Sequence, residues 1–306
     1  MDRLDAMKVL TAVVDAGSLS AAARRIGAPL ATVSRKISDL EAHLETRLLI
    51  RSSRKLVLTE AGQNYLVACR RILEQVAEAE RAASGEYSAP MGNLTVATPL
   101  AFGRLHVLPI STEFLSAYPQ IDMRMIMSDR ISHILEDHID LAVRLGELPD
   151  SSFVASKVGD AGRIVCASPA YFAAHGTPQA PADLAAHECV TFEPFMSPDA
   201  WTFSTGKVEE TVAIHSRLVV NTAHAAVDAA VAGVGITRVL SYQAAAELRS
   251  GALVVALQSF EPPRWPISLV HAGQGPLPLK VRAFLDFVAP RLKSRLTELR
   301  DPALKI

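Results

Sequence analysis

Residues 18–59 read SLSAAARRIGAPLATVSRKISDLEAHLETRLLIRSSRKLVLT, and this stretch decides the first domain. Ser18 offers an N-cap for a short helix, Leu19 to Ile26. Gly27 breaks that helix, and Pro29 fits near the first turn of the next. From Leu30 to Leu44, the residues Val33, Ile37, Leu40 and Leu44 form one apolar stripe. The opposite face carries Thr32, Ser34, Arg35, Lys36 and Asp39. Ala22 and Ala23 are small enough for the two helices to cross closely. Helix, tight glycine turn, helix, with a polar and basic outer face, is the pattern of a helix-turn-helix whose second member enters a DNA major groove. Upstream, Leu4, Met7, Leu10 and Val14 recur at helical spacing until Gly17. Downstream, two short apolar runs, Leu48 to Ile50 and Leu56 to Leu58, flank a basic tip. They read as a β-hairpin wing that places Arg51, Arg54 and Lys55 to meet phosphates or a minor groove.

Charge supports this division. The formal net charge of the 306 residues is −1, yet residues 1–58 hold ten Lys/Arg against six Asp/Glu. The rest of the chain holds 21 basic against 26 acidic residues, so a basic unit precedes a mildly acidic one. A chance excess of surface cations explains the charge alone equally well; the order helix, turn, helix, basic wing does not arise so easily. The length suggests two or three domains, and 49% hydrophobic with 21% charged residues excludes a mostly disordered chain. No apolar run of about 18 residues exists to span a membrane. Met1 to Asp5 carries two acids and no apolar segment, so no secretory signal is expected. Cys69, Cys166 and Cys189 form no CxxC pair, which points to a reduced, cytoplasmic compartment.

Three groups of residues carry a resemblance. They are Ser18-x-x-Ala21-Ala22, then Thr32-Val33-Ser34-x-x-Ile37-x-x-Leu40-Glu41, then Arg51-x-x-Arg54-x-Leu56-x-Leu58-Thr59-x-Ala61-Gly62. Over about 60 residues the chain resembles the LysR-type transcriptional regulators. It departs from the family in three places. Pro29 stands where Ser is frequent, Leu30 where Gln is frequent, and Glu45 where a Gly commonly precedes the wing.

Thr59 caps a further helix to about Ala83. Its residues Tyr65, Cys69, Ile72, Val76, Ala79 and Ala83 are spaced 4, 3, 4, 3 and 4, a heptad seam. Packing on the chain's own core is the competing explanation. The resemblance implies that the seam pairs with the same helix of a second subunit, making a homodimer or homotetramer with two reading helices. Cys69 then fills the seam as a small apolar side chain rather than a redox sensor. Residues 80–90 turn polar and irregular, like a domain boundary.

Beyond it, strands alternate with helices, which implies parallel α/β units. Strands are expected at 94–98, 121–127, 139–145 and 163–167, around Val190, Val212 and Val219, and at 235–237, 253–255 and 264–270. Helices are expected to about Tyr118, to about Asp137, over 223–232 and over 278–299. The resemblance implies a bilobed, periplasmic-binding-protein-like effector domain over 91–306. Lobe one would be 92–162 plus 266–306, and lobe two 163–265. Residues 1–58 would form the winged helix-turn-helix domain and 59–90 the linker. The fold class is therefore α/β with an all-α/winged N-terminal domain.

A cleft between α/β lobes collects strand C-ends and helix N-termini, whose free N–H groups suit anions. Three junctions stand out: Thr98-Pro99-Leu100-Ala101, Ser128-Asp129 and Asn221-Thr222. Ordinary helix capping explains any one of them. The resemblance implies effector contacts there, with Thr202 and Phe203 as weaker candidates on the facing lobe. A carboxylate ligand is the corresponding hypothesis.

No GxSxG, HExxH, P-loop or GxGxxG is present, and Gly233-Val234-Gly235 lacks the third glycine. No catalytic residue, metal ligand or cofactor is expected. The reading is a DNA-binding regulator that responds to a small molecule, with promoter DNA, an effector and RNA polymerase as partners and no membrane. A solute-binding protein, or an α/β enzyme, with a fused helix-turn-helix is the alternative.

Overall fold

A computed structural model of the chain describes residues 1–51, 56–83, 89–130, 139–148, 153–193, 197, 199–205, 208–273 and 277–298. It divides into two compact units, Met1–Ala89 and Pro90–Ile306.

The first unit begins with helix α1 (Arg3–Asp15), capped by the Asp2 carboxylate on the N–H groups of Leu4 and Asp5. Helix α2 (Leu19–Ile26) starts at Ser18, whose hydroxyl accepts from the Ala21 N–H, and stops at Gly27 in the left-handed region. Helix α3 (Leu30–His43) follows Pro29, which gives no side-chain cap. Strands β1 (Leu49–Arg51) and β2 (Leu56–Leu58) pair antiparallel as the wing, and helix α4 (Glu60–Ala83) leaves from it. One core joins Val9, Leu10, Val13, Ala22, Val33, Ile37, Leu40, Leu48, Leu66 and Cys69.

In the second unit, β3 (Gly92–Thr98) leads through α5 (Leu100–Phe102), a π-helical segment (Gly103–Val107) and α6 (Leu108–Ala117) to β4 (Ile121–Met127). Strands β5 (Leu141–Leu145) and β6 (Phe153–Ala161) follow, and the chain then enters a second sheet through β7 (Arg163–Ala167). Helix α7 (Pro169–His175), β8 (Glu188–Phe192), the hairpin β9 (Ala200–Thr205) and β10 (Val208–Ala213), β11 (His215–Val220) and α8 (Ala223–Val231) come next. Then come β12 (Ile236–Leu240), α9 (Ala245–Ser250) and β13 (Val254–Ala256). Strand β14 (Trp265–Ala272) returns to the first sheet, and α10 (Leu279–Glu298) covers it with Val281, Phe284, Val288, Leu292 and Leu296. The sheet orders are β4-β3-β5-β14-β6 and β11-β8-β12-β7-β13. Two lobes result, linked at Gly162 and Arg264, and the Arg264 guanidinium holds Asp160 across that link at 2.6 Å.

The structure corrects several expectations. The sheets are mixed, not parallel. β3 runs parallel to β4 and β5, but β14 is antiparallel to β5 and β6, and β7 is antiparallel to β12 and β13. β6, β9, α7 and α9 were not expected. The buried face of α1 is Ala6, Val9, Leu10 and Val13; Leu4 is exposed, and Met7 and Val14 are half-buried. The sequence stripe ranked side chains by bulk, whereas α1 touches α2, α3 and α4, and small Ala6 allows that approach. Cys69 is fully buried in the core of its own unit, and Tyr65 packs against that core. Cys69 is therefore no seam residue: the first turns of α4 dock on α1. The helix expected to end near Asp137 lies outside the described residues.

Candidate functional site

On α3, one face carries Val33, Ile37 and Leu40, all at 0% exposure. Arg35 lies on the other side and is exposed, with Thr32 and Ser34 half-buried beside it. Lys36, placed with them by the sequence, is instead drawn toward α1 by Asp5, with Nζ and Oδ2 at 2.5 Å. It sits one residue from the buried Ile37, at the flank of the helix, and a carboxylate is within reach there. Arg24 and Arg25 of α2 are exposed as well, a cationic pair that the α3 pattern did not single out. Ser18 holds the start of α2 at 3.1 Å through its cap. It is a positioning residue.

The wing is held to α3 by a residue whose role the sequence concealed. Glu41 Oε1 accepts from the N–H groups of Leu48 (2.8 Å) and Leu49 (3.0 Å), so the C-terminal end of α3 fixes where β1 begins. Thr59 donates to the Arg47 carbonyl at 2.8 Å and accepts from Gly62 N–H at 2.9 Å. Gly62 lets α4 pass the wing: a Cβ there would lie 2.0 Å from the Leu48 carbonyl oxygen. Glu45 takes φ +51° at the end of α3, which explains why a glycine suits this position. Arg51 ends β1, but its side chain, Arg54 and Lys55 lie outside the described residues, as does the side chain of Ala83. Farther along α4, Ile72 and Ala79 are exposed and Val76 is half-buried.

In the second unit, a small cavity lies between the lobes. Pro99, Asp129, Leu145 and Trp265 line it from the first lobe. Arg163, Phe192 and Val239 line it from the second, together with Leu240, Tyr242 and Gln243 after β12. Asp129 Oδ1 accepts from Leu100 N–H at 2.9 Å. The helix end expected to receive an anion is therefore already met by the chain's own carboxylate. Burial raises the Asp129 pKa, an effect that the Leu100 hydrogen bond opposes. The Arg163 guanidinium lies 4.7 Å above the Trp265 ring, and its pKa is lowered by burial and then by Arg238. Tyr242 packs edge-on to Phe102 and His106. His106 Nε2 is buried without a hydrogen-bond partner, and burial, with Arg295 adding to it, lowers its pKa to about 4.

The remaining candidates separate. Thr98 is buried and donates to the Pro99 carbonyl at 3.3 Å; Ser128 accepts from Arg130 N–H at 3.1 Å. Ala101 is a core residue of the first lobe. Thr222 caps α8 through Ala225 N–H at 3.3 Å, and Asn221 before it is exposed. Neither lines the cavity. Thr202 and Phe203 are not cleft residues. Thr202 meets Thr211 across the β9–β10 hairpin, and Phe203 is buried 4.5 Å beneath the Arg238 guanidinium. Arg238 in turn is paired with Glu261 at 3.0 and 2.6 Å inside the second lobe. Arg104 and His224 meet across the lobes, a contact that sequence spacing could not reveal. Among the described residues, no group of three or more His, Cys, Asp or Glu could hold a metal ion. Burial pushes Cys69 up to about 11 and Cys166 and Cys189 up to about 12, which keeps them as thiols. No single helix among the described residues is long and apolar enough to cross a membrane.

Comparison with known proteins matches residues 4–63 to the family model "Bacterial regulatory helix-turn-helix protein, lysR family" and residues 88–293 to the "LysR substrate binding domain". An HTH-type transcriptional repressor of Pseudomonas aeruginosa is 35% identical over 294 residues, covering 94% of this chain and 92% of that protein. The HTH-type transcriptional activator AaeR of Escherichia coli is 28% identical over 286 residues, covering 94% and 93%. Among solved structures, the full-length virulence activator AphB of Vibrio cholerae has a TM-score of 0.60 at 28% identity, covering 93% of this chain and 98% of that one. CrgA of Neisseria meningitidis, a LysR-type transcriptional regulator, has a TM-score of 0.60 at 29% identity, covering 94% and 98%.

Proposed function

The chain belongs to the LysR family of transcriptional regulators, and on that premise we propose that α3 lies in the major groove of promoter DNA. Thr32, Ser34 and Arg35 face base edges, and the wing, with Arg51, Arg54 and Lys55, follows the phosphates. Lys36 joins them by exchanging Asp5 for a phosphate. Asp129 and Pro99 belong to the effector site, the cavity between the lobes. The exposed Ile72 and Ala79, with Val76, are the part of α4 left for pairing with a second subunit. The regulator works in the cytoplasm as a homodimer or homotetramer and acts on RNA polymerase at the promoter. Ligand binding alters the relation of the lobes, and through it DNA affinity.

One observation carries this reading. α3 buries three apolar residues completely, and the side that holds Arg35 faces out of its unit. The test is enrichment of duplexes from a random library by the full-length protein. Two half-sites about 10 base pairs apart, or a multiple of that, are expected. Affinity for the enriched sequence should fall steeply with salt. Equal affinity for enriched and random duplexes would refute it.

A further inference from the structure

We infer that the cleft is built for a compact dipolar ligand of the amino-acid type: its ammonium on Asp129, its carboxylate on Arg163, and its apolar body against Trp265, Phe192 and Tyr242. This names the ligand class and rests on the cleft being the effector site.

Two opposite charges line the cleft, one from each lobe. Asp129 belongs to the first lobe and Arg163 opens β7 of the second. Among the described residues neither forms an ion pair with a partner. Asp129 spends one oxygen on Leu100 N–H, and Arg163 rests on the Trp265 ring. A charge removed from water needs a counter-charge and hydrogen bonds. A ligand with a single charge supplies only half of that need. An anion at the α5 end meets the Asp129 carboxylate where a free helix N–H was expected, and is repelled. A cation satisfies Asp129 but leaves Arg163 without a direct carboxylate partner, with Arg238 nearby and only the charges of Glu261 and Glu209, beyond ion-pair distance, to offset it. A dipolar molecule compensates both: an ammonium brings three donors to a carboxylate, and a carboxylate matches the guanidinium fork. The rest of the lining is largely aromatic or aliphatic, which suits an apolar side chain. The cavity leaves little free room between these side chains, which excludes large ligands.

The test is titration calorimetry on the full-length protein with matched probes: phenylalanine, leucine, phenylpropanoate, phenethylamine and aminomethylbenzoate. At least one dipolar probe is expected to bind about tenfold or more tightly than phenylpropanoate and phenethylamine, which is ~1.4 kcal/mol. Asp129→Asn, which keeps an acceptor for Leu100, should erase discrimination against phenylpropanoate. Arg163→Gln should erase discrimination against phenethylamine. Far-UV circular dichroism and melting curves establish that both variants fold. Equal binding of a singly charged probe, or discrimination that survives Asp129→Asn, overturns the proposal. So does silence from every dipolar probe. If a benzoate or phenol then gives heat that Trp265→Ala removes, the cleft remains the effector site and only the ligand class falls. If heat from a dipolar probe is unchanged in Trp265→Ala, Asp129→Asn and Arg163→Gln alike, the ligand binds elsewhere and both readings fall.

Discussion

The two units handle charge in opposite ways. In the N-terminal unit the cations stand outside: Arg24, Arg25, Arg35 and Arg47 are exposed around a core of aliphatic residues. In the C-terminal unit several charges have been taken in. Arg238 lies in the fork of Glu261, whereas Arg163 on the Trp265 ring and Asp129 on the Leu100 amide line the cleft without an ion-pair partner among the described residues. Lys280 sits near Asp140 and donates to the Asn93 carbonyl. A surface for a polyanion needs exposed charge that water keeps inexpensive. A cleft for a small molecule needs charge that folding has drawn in and left for the ligand to complete.

The sharpest way to break this comparison is to remove one settled partner. Glu261→Ala leaves Arg238 buried and uncompensated, and should destabilise the C-terminal unit by about 3–5 kcal/mol. The double variant Arg238→Met, Glu261→Leu should recover most of that loss in denaturant melts. A single variant as stable as the wild type would show that water already reaches the pair.

The next effect depends on pH. His106 is neutral in the folded chain, with its pKa lowered by burial to about 4 from an ordinary 6.5. The unfolded chain therefore takes up the proton first. Stability should be full above 6.5, fall as pH drops through that value, and level off below about 4, for a total of roughly 3 kcal/mol. The wild type minus His106→Leu difference in unfolding free energy, measured across this window, isolates the contribution. A flat difference would contradict it.

Arg35→Ala follows. It should leave folding unchanged and reduce operator preference over random duplex by about 1–3 kcal/mol. Arg54→Ala should instead weaken all duplexes alike and flatten the salt dependence. Anisotropy titrations at several salt concentrations separate the two, and unaltered operator preference in Arg35→Ala would count against the major-groove assignment. The smallest effect is at Glu45. Glu45→Gly removes a left-handed backbone penalty at a small entropic cost, and should stabilise the N-terminal unit by up to ~1 kcal/mol. A lower melting midpoint would mean that the Glu45 side chain contributes something its backbone angle does not reveal.

How far the sequence could be read varied with the distance over which each contact acts. Ser18, Gly27, Thr59 and the α3 stripe were all readable, because a cap, a left-handed turn and a buried face are set within a few residues. The α1 stripe failed because α1 touches three other helices, and those partners chose its buried side. The seam failed at Cys69 for the same reason: the heptad spacing is real, but nothing in it says whether the partner is another subunit or the chain's own core. The sheet directions failed because alternating strands and helices suggest parallel neighbours, and only the late return of β14 between β5 and β6 makes the first sheet mixed.

The cleft shows the boundary most clearly. Pro99-Leu100 and Asn221-Thr222 look alike as strand-to-helix junctions. Thr222 caps its own helix from three residues away, and its sequence says so. Leu100 is met by Asp129 from 29 residues away, at the end of a neighbouring strand. Sequence alone therefore determined the helix starts and stops of the first unit, the β1–β2 wing and the exposed Arg35 side of α3, since each is settled by adjacent residues. The tertiary structure decided which charges meet and which helix ends stay open. Those pairings depend on strand order and register, which join distant parts of the chain and leave no local pattern.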